Sequence, residues 1–234
     1  MPWLRLFRVV NLPTVPGDVL SGAASAVVYA QLAVSPAMER SVFAAALSSV
    51  FIYMSALADN DIQGSRSDVN RPIPDGEIKL KTARFASVIC LLAAATVAIL
   101  AALPVWWYFA ALILVASAFI YNRTKFAAVM GACRALNVVL GALSTGAFAP
   151  RSFIPVSVIA VVWWCYITWV TRFSAGEELD ASLRAKVGFF IGAIVYLQLA
   201  VLVIFPVKSF LIAGAVMLIA LRVLKILLPK VSAS

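Results

Sequence analysis

Residues 57–78 read LADNDIQGSRSDVNRPIPDGEI, and the fold is decided by how they are read. An apolar stretch runs into Asp59, Asp61, Asp68, Asp75 and Glu77, half of the ten acidic residues in the chain. Carboxylates close to bilayer depth are costly unless paired, hydrated or metal-bound. A helix that ends in such a cluster, and then in the stiff turn Arg71-Pro72-Ile73-Pro74, reads as a site more than as a spacer.

Outward from that stretch the chain looks like lipid solvent. It has 234 residues, 64% of them hydrophobic and 12% charged. A soluble chain of that length cannot hide so much apolar surface, so the composition predicts an all-α polytopic membrane protein. The apolar runs are continuous and not alternating, which excludes a β-barrel. Spans of roughly 20 residues are expected near 12–34, 40–58, 83–103, 105–121, 127–149, 152–173, 187–206 and 208–228. The expectation is a single membrane domain, 1–234, of about eight spans. No secretory signal stands apart from the first span, because Pro13 and Pro16 interrupt the early apolar run. Cys90, Cys133 and Cys165 fall in apolar segments and read as small packing residues. With no histidine in the chain, imidazole-based metal binding and acid–base catalysis are excluded.

Charge orients the spans. With the N-terminus inside, only Arg40, Arg151 and Lys208 lie outside and Arg134 lies within a span; all the others of the nineteen basic residues face the cytoplasm. The net charge of +9 is thus read as loops facing anionic lipid, not as a nucleic-acid interface. Both termini are expected in the cytoplasm, and the membrane is expected to be a bacterial inner membrane. The acids follow the same split. Two acidic cytoplasmic loops, 59–82 and 174–186, hold all of them except Glu39, which faces out, and Asp18, which sits in the first span.

Four constellations could carry chemistry. On a helix, Asn60, Asp61, Gly64 and Asp68 share one stripe. Two carboxylates and an amide there suit Mg2+, which takes one or two carboxylates plus substrate phosphates; a solvated acidic helix cap is the plainer alternative. Arg71-Pro72-Ile73-Pro74-Asp75-Gly76 is a rigid turn that either makes a corner or aims Arg71 at an anion. Tyr121 and Lys125, in YNRTK, either anchor a helix to headgroups or capture a diphosphate. Arg134 and Asn137, three apart in GACRALNVVLG, share one face of an apolar span. A lone intramembrane arginine must pair, snorkel or line a wet cavity. Asp18 is a candidate partner, so ion-pair glue competes with an active-site role.

Taken together, the helix ending in Asn60-Asp61, the RPIPDGEI turn, Tyr121-x-x-x-Lys125 and CRALNVVLG resemble the UbiA superfamily of intramembrane prenyltransferases. GDVLSG (residues 17–22), CRALN and the SAGEE ending of the sixth span look most like its EboC-like branch. The resemblance covers about residues 5–205. It implies a helical bundle around a central cavity, with two acidic motifs that hold Mg2+ against the diphosphate of an isoprenoid donor. In the first motif, N-D-x-x-D-x-x-x-D, Asn60, Asp61 and Asp68 match, and Gly64 stands where the middle Asp belongs. For the second, D-x-x-x-D, only Glu177, Glu178 and Asp180 are available, and their spacing differs. Members usually have nine spans; eight are counted here.

The implied activity is Mg2+-dependent transfer of an isoprenoid group from a prenyl diphosphate to a small lipophilic acceptor. Metal ligands would come from Asn60, Asp61, Asp68, Glu177 and Asp180. Arg71, Tyr121, Lys125 and Arg172 would grip the diphosphate, and Asp18, Arg134 and Asn137 would shape the acceptor pocket. Two alternatives keep the scaffold: a terpene cyclase that quenches the cation internally, or a degenerate prenyl-lipid binding or transport protein.

Overall fold

The computed structural model describes residues 1–64, 71–146, 150–174 and 181–228, with side chains of the last segment described from 186 onward. Among these residues there are nine α-helices and no strands. They are α1 (Pro2–Leu6), α2 (Thr14–Tyr29), α3 (Pro36–Gln63), α4 (Leu80–Leu100), α5 (Val105–Thr124), α6 (Ala127–Ser144), α7 (Pro150–Phe173), α8 (Ala181–Ile204) and α9 (Lys208–Leu227). All eight expected spans are present as helices. Seven are long and apolar enough to cross a membrane. The chain is an integral membrane protein.

The exception is α2, where a span of full length was expected and 16 residues are found. At 1.5 Å per residue it covers about 24 Å, short of a hydrocarbon core of about 30 Å. Its setting explains the difference. From Thr14 to Val27 every residue except Pro16 is buried, because α2 lies against α3, α6, α7, α8 and α9. A helix wrapped by protein has no lipid thickness to match. Its small residues let the neighbours in closely. A Cβ at Gly22 would stand 1.9 Å from the Val138 carbonyl oxygen, and one at Gly141 1.9 Å from that of Val19. These two backbone approaches, one from each helix, set the α2–α6 seam.

The outer helices keep apolar side chains for lipid, such as Leu92 and Ile99 on α4, Leu112 on α5 and Ile219 on α9. Helix α3 has the opposite mismatch to α2. Ser35 caps its start, accepting from the Met38 amide at 3.2 Å, and it continues through Gln63 before Gly64 caps it. Its 28 residues span about 42 Å, so about 12 Å exceeds the hydrocarbon core. The acidic segment expected to open a loop at residue 59 is therefore the last turn of a helix.

Candidate functional site

Asp59, Asn60 and Asp61 are consecutive on α3, so their side chains leave the helix about 100° apart. Each meets a different element. Asp59, buried, accepts from Asn122 Nδ2 on α5 at 2.8 Å and from Gln63 Nε2 at 3.3 Å. The same Asn122 amide also donates to the Ala56 carbonyl at 2.8 Å, which locks α5 to α3. Asn60 Oδ1 accepts from Lys125 Nζ. Asp61, 2% exposed, forms an ion pair with Arg71 at 3.3 Å.

Lys125 is held in place by its backbone. The connection between α5 and α6 is only Lys125 and Phe126, and Lys125 has φ 53°, ψ 22°, the left-handed region. That conformation costs a non-glycine residue roughly 1–2 kcal/mol. It turns the chain so that the ammonium lies toward α3 and 5.8 Å from the Tyr121 ring centroid. Arg71 is placed by the proline turn. Asp75 N donates to the Arg71 carbonyl at 2.9 Å, Gly76 N to Ile73 at 3.0 Å and Ile78 N to Pro72 at 2.9 Å. Gly76 supplies the positive φ of 74°. Ile73 and Ile78 pack with Leu6, Ala58 and Ala83. Arg5 on α1 then clamps the turn through Asp75 at 3.3 Å and Glu77 at 2.9 Å. The turn makes a corner, and in it Arg71 pairs with Asp61.

Four of the expected residues form two pairs at this end of the bundle, Asn60 with Lys125 and Asp61 with Arg71, and Tyr121 lies against Lys125. Arg172, in the last turn of α7, is exposed and makes no polar contact among the described residues. Asp68, Glu177 and Asp180, expected as further metal ligands, lie outside the described residues. Among the described residues no three acidic, histidine or cysteine side chains form a metal-binding group.

Asp18, Arg134 and Asn137 form contacts between helices. Arg134 Nη1 lies 2.8 Å from Asp18 Oδ2, and the guanidinium also donates to the Thr14 carbonyl at 3.1 Å and the Thr14 hydroxyl at 2.9 Å. Gln198 on α8 donates to Thr14 O and to Asp18 Oδ1, both at 2.7 Å. Asn137 Oδ1 accepts from the Ser49 hydroxyl of α3. All of these side chains are buried. The pairing of Asp18 with Arg134, anticipated as one solution for a lone intramembrane arginine, is the one found.

Sequence reasoning missed Asp59's lock on Asn122, the Arg5 clamp and Gln198. Asn122 stands next to Tyr121 in the motif already singled out, and an amide there was a usable signal. Gln198 is a lone polar residue among apolar neighbours in YLQLA, a signal of the same kind as Arg134.

No family model and no curated protein matches the chain. Solved structures do. A structure of a digeranylgeranylglyceryl phosphate synthase matches with TM-score 0.58 at 18% identity, over 99% of this chain and 91% of that one. A UbiA homologue from Archaeoglobus fulgidus bound to GPP and Mg2+ matches with TM-score 0.55 at 14% identity, over 98% and 88% of the two chains. The same homologue bound to DMAPP and Mg2+ gives 0.53 at 15%, over 98% and 88%. This chain is an all-helical membrane bundle with the UbiA fold.

Proposed function

We propose that this protein is a UbiA-type intramembrane prenyltransferase, nearest the EboC-like branch, that moves an isoprenoid group from a prenyl diphosphate to a small lipophilic acceptor. The supporting observation is the two pairs at the C-terminal end of α3, Lys125 with Asn60 and Arg71 with Asp61. The likeness to homologues that bind GPP, DMAPP and Mg2+ supports the same reading.

The donor set fits magnesium in kind. Asn60 and Asp61 offer only hard oxygen donors, and one or two carboxylates plus substrate phosphates are the usual magnesium environment. Asp68, Glu177 and Asp180 are proposed to complete the set. When bound, the ion would neutralise charge on the leaving diphosphate.

The chain's own residues do the rest. Lys125 holds a neutral amide oxygen and Arg71 the Asp61 carboxylate, and a diphosphate offers Lys125 a charged acceptor and Arg71 a further one. Exchanging partners places an ammonium and a guanidinium where negative charge develops as the allylic C–O bond breaks. The Tyr121 ring supports the Lys125 ammonium, and Arg172 gives a further cation from α7. The acceptor nucleophile then attacks the allylic carbon. Arg134, Asp18 and Asn137 shape the acceptor pocket from behind, by fixing α6 against α2 and α3.

The test is diphosphate release from geranyl, farnesyl and geranylgeranyl diphosphates by purified protein with and without Mg2+, alongside thermal shift by the same donors. Lys125→Gln is expected to reduce release by about 10²-fold, the usual effect of removing one charge-stabilising donor. No release with any donor, with wild type equal to Asp61→Asn, would overturn the enzyme. Gly64, which caps α3 where the family motif has an acid, favours a second reading. Binding of the donor by thermal shift without release would identify a prenyl-lipid carrier.

A further inference from the structure

The end of the bundle away from Asp61 carries a second constellation. Glu39, near the start of α3, and Asp61 are 22 residues apart on one helix, hence about 33 Å. At the Glu39 end a cleft of about 660 Å³ opens between the α2–α3 and α8–α9 connections, within the range of about 300–1,000 Å³ common for small-molecule sites. Its wall is apolar, with Val27, Leu32 and Val207 among its residues. Gln31 and three further polar side chains interrupt that wall: Glu39, Lys208 and Ser209.

None of the three is used by the fold. Glu39 and Lys208 carry opposite charges on one cleft, yet neither pairs with the other or with any other described residue. The Ser209 hydroxyl is buried and has no hydrogen-bond partner among the described residues. An unsatisfied buried hydroxyl is costly, and each such group calls for an explanation. Lys208 and Ser209 also begin α9, whose first turn has no side-chain cap, so its amides add positive potential at the same place.

We propose that this cleft binds the headgroup of a zwitterionic phospholipid with a primary amine, of the phosphatidylethanolamine class. Its phosphate sits at Lys208, the Ser209 hydroxyl and the first amides of α9; its ammonium sits at the Glu39 carboxylate. A phospholipid is favoured over a free zwitterion because the cleft opens onto lipid-facing surface. Val28 and Val34 on its rim are exposed, and so are Val203 and Ile204 just above it on α8. The acyl chains continue along that surface. An ammonium that donates three hydrogen bonds suits a carboxylate better than a choline, which donates none.

The experiment measures retention of phosphatidylethanolamine, phosphatidylcholine and phosphatidylglycerol of identical acyl chains on the purified full chain, by native mass spectrometry from mixed-lipid nanodiscs. Wild type is expected to retain the ethanolamine lipid about tenfold over the other two, equivalent to about 1.4 kcal/mol. Glu39→Gln is expected to abolish the preference over choline, and Lys208→Gln to lower retention of all three. Glu39→Asp and Lys208→Arg are expected to restore it. Equal retention of the three lipids by wild type would overturn the proposal, and this arm stands even if a variant fails to fold. Competition by free phosphoethanolamine at the concentration of the lipid would also overturn it, because the acyl chains would then add nothing. Neither result bears on diphosphate release at the other end.

Discussion

Removing the Asp18 charge should reveal what Arg134 is for. Arg134 is 8% exposed and Asp18 1%. The guanidinium has one charged partner, Asp18 at 2.8 Å, and two neutral contacts to Thr14. Asp18→Asn keeps an acceptor for Gln198 but leaves a buried cation uncompensated. Breaking a buried pair in this way costs about 3–5 kcal/mol. Arg134→Met should cost less, since the stranded carboxyl can be neutralised by one proton whereas a guanidinium stays charged. The double variant Asp18→Asn, Arg134→Met should then be more stable than Asp18→Asn alone, because a well-packed apolar replacement of a buried pair is often neutral. For a chain of this size 1 kcal/mol moves Tm by about 2–4 °C, so Asp18→Asn is expected to melt about 6–20 °C below wild type. Tryptophan fluorescence during heating of the detergent-purified protein measures this. A single variant within about 2 °C of wild type, or a double variant no better than Asp18→Asn, refutes the buried-pair reasoning. Diphosphate release by the double variant adds a second readout. Retained release marks the pair as glue between helices, and lost release in a folded double variant marks it as part of the acceptor pocket.

Two other outcomes follow from backbone geometry. Gly22→Ala and Gly141→Ala each place a Cβ 1.9 Å from a carbonyl oxygen across the α2–α6 seam, and overpacking of that kind costs about 1–3 kcal/mol; Gly188→Ala, with nothing within 4 Å, should leave Tm unchanged or raise it in the same melt. Lys125→Gly relieves a left-handed residue worth roughly 1–2 kcal/mol, so it is expected to raise Tm while weakening the thermal shift given by a prenyl diphosphate, and a fall in both would refute the assignment of strain to that corner.

Much of the fold was legible because hydrocarbon is a demanding solvent. Seven of the eight expected apolar runs are helices long and apolar enough to cross a membrane, and Arg134 in the middle of one had to pair, snorkel or line a wet cavity. What could not be read was helix rotation. Asp59 and Asp61 are two apart and leave α3 in nearly opposite directions, one toward Asn122 and the other toward Arg71. Helical spacing puts Asp61, and not Asp59, on one stripe with Asn60 and Gly64, but it does not say what either carboxylate meets. The short α2 was hidden for a related reason. Hydropathy measures how apolar a segment is, and a helix enclosed by five others is as apolar as one that meets lipid. Arg5 was read only as cytoplasmic charge, because its partners Asp75 and Glu77 lie some seventy residues away.

The polar residues divide by depth into two kinds of contact. The segments GDVLSG and CRALN, which suggested a particular branch of the superfamily, are the two sides of a single seam. Asp18 meets Arg134, Gly22 meets the Val138 carbonyl, and Gly141 meets that of Val19. At that depth no water is at hand to replace a lost partner, so these contacts resist exchange and fix helix positions. Asn60 with Lys125 and Asp61 with Arg71 sit at the C-terminal end of α3. Lys125 is exposed and Arg71 is 21% exposed, so an anion from solvent can compete for both cations. The division has a consequence for mutants. Changes along the α2–α6 seam should act on Tm and leave the donor-induced shift intact once stability is restored. Changes at Asn60 or Lys125 should act on the donor-induced shift with little or no loss of Tm. A seam variant with normal stability and no donor response would show that the site extends down α6 to Arg134.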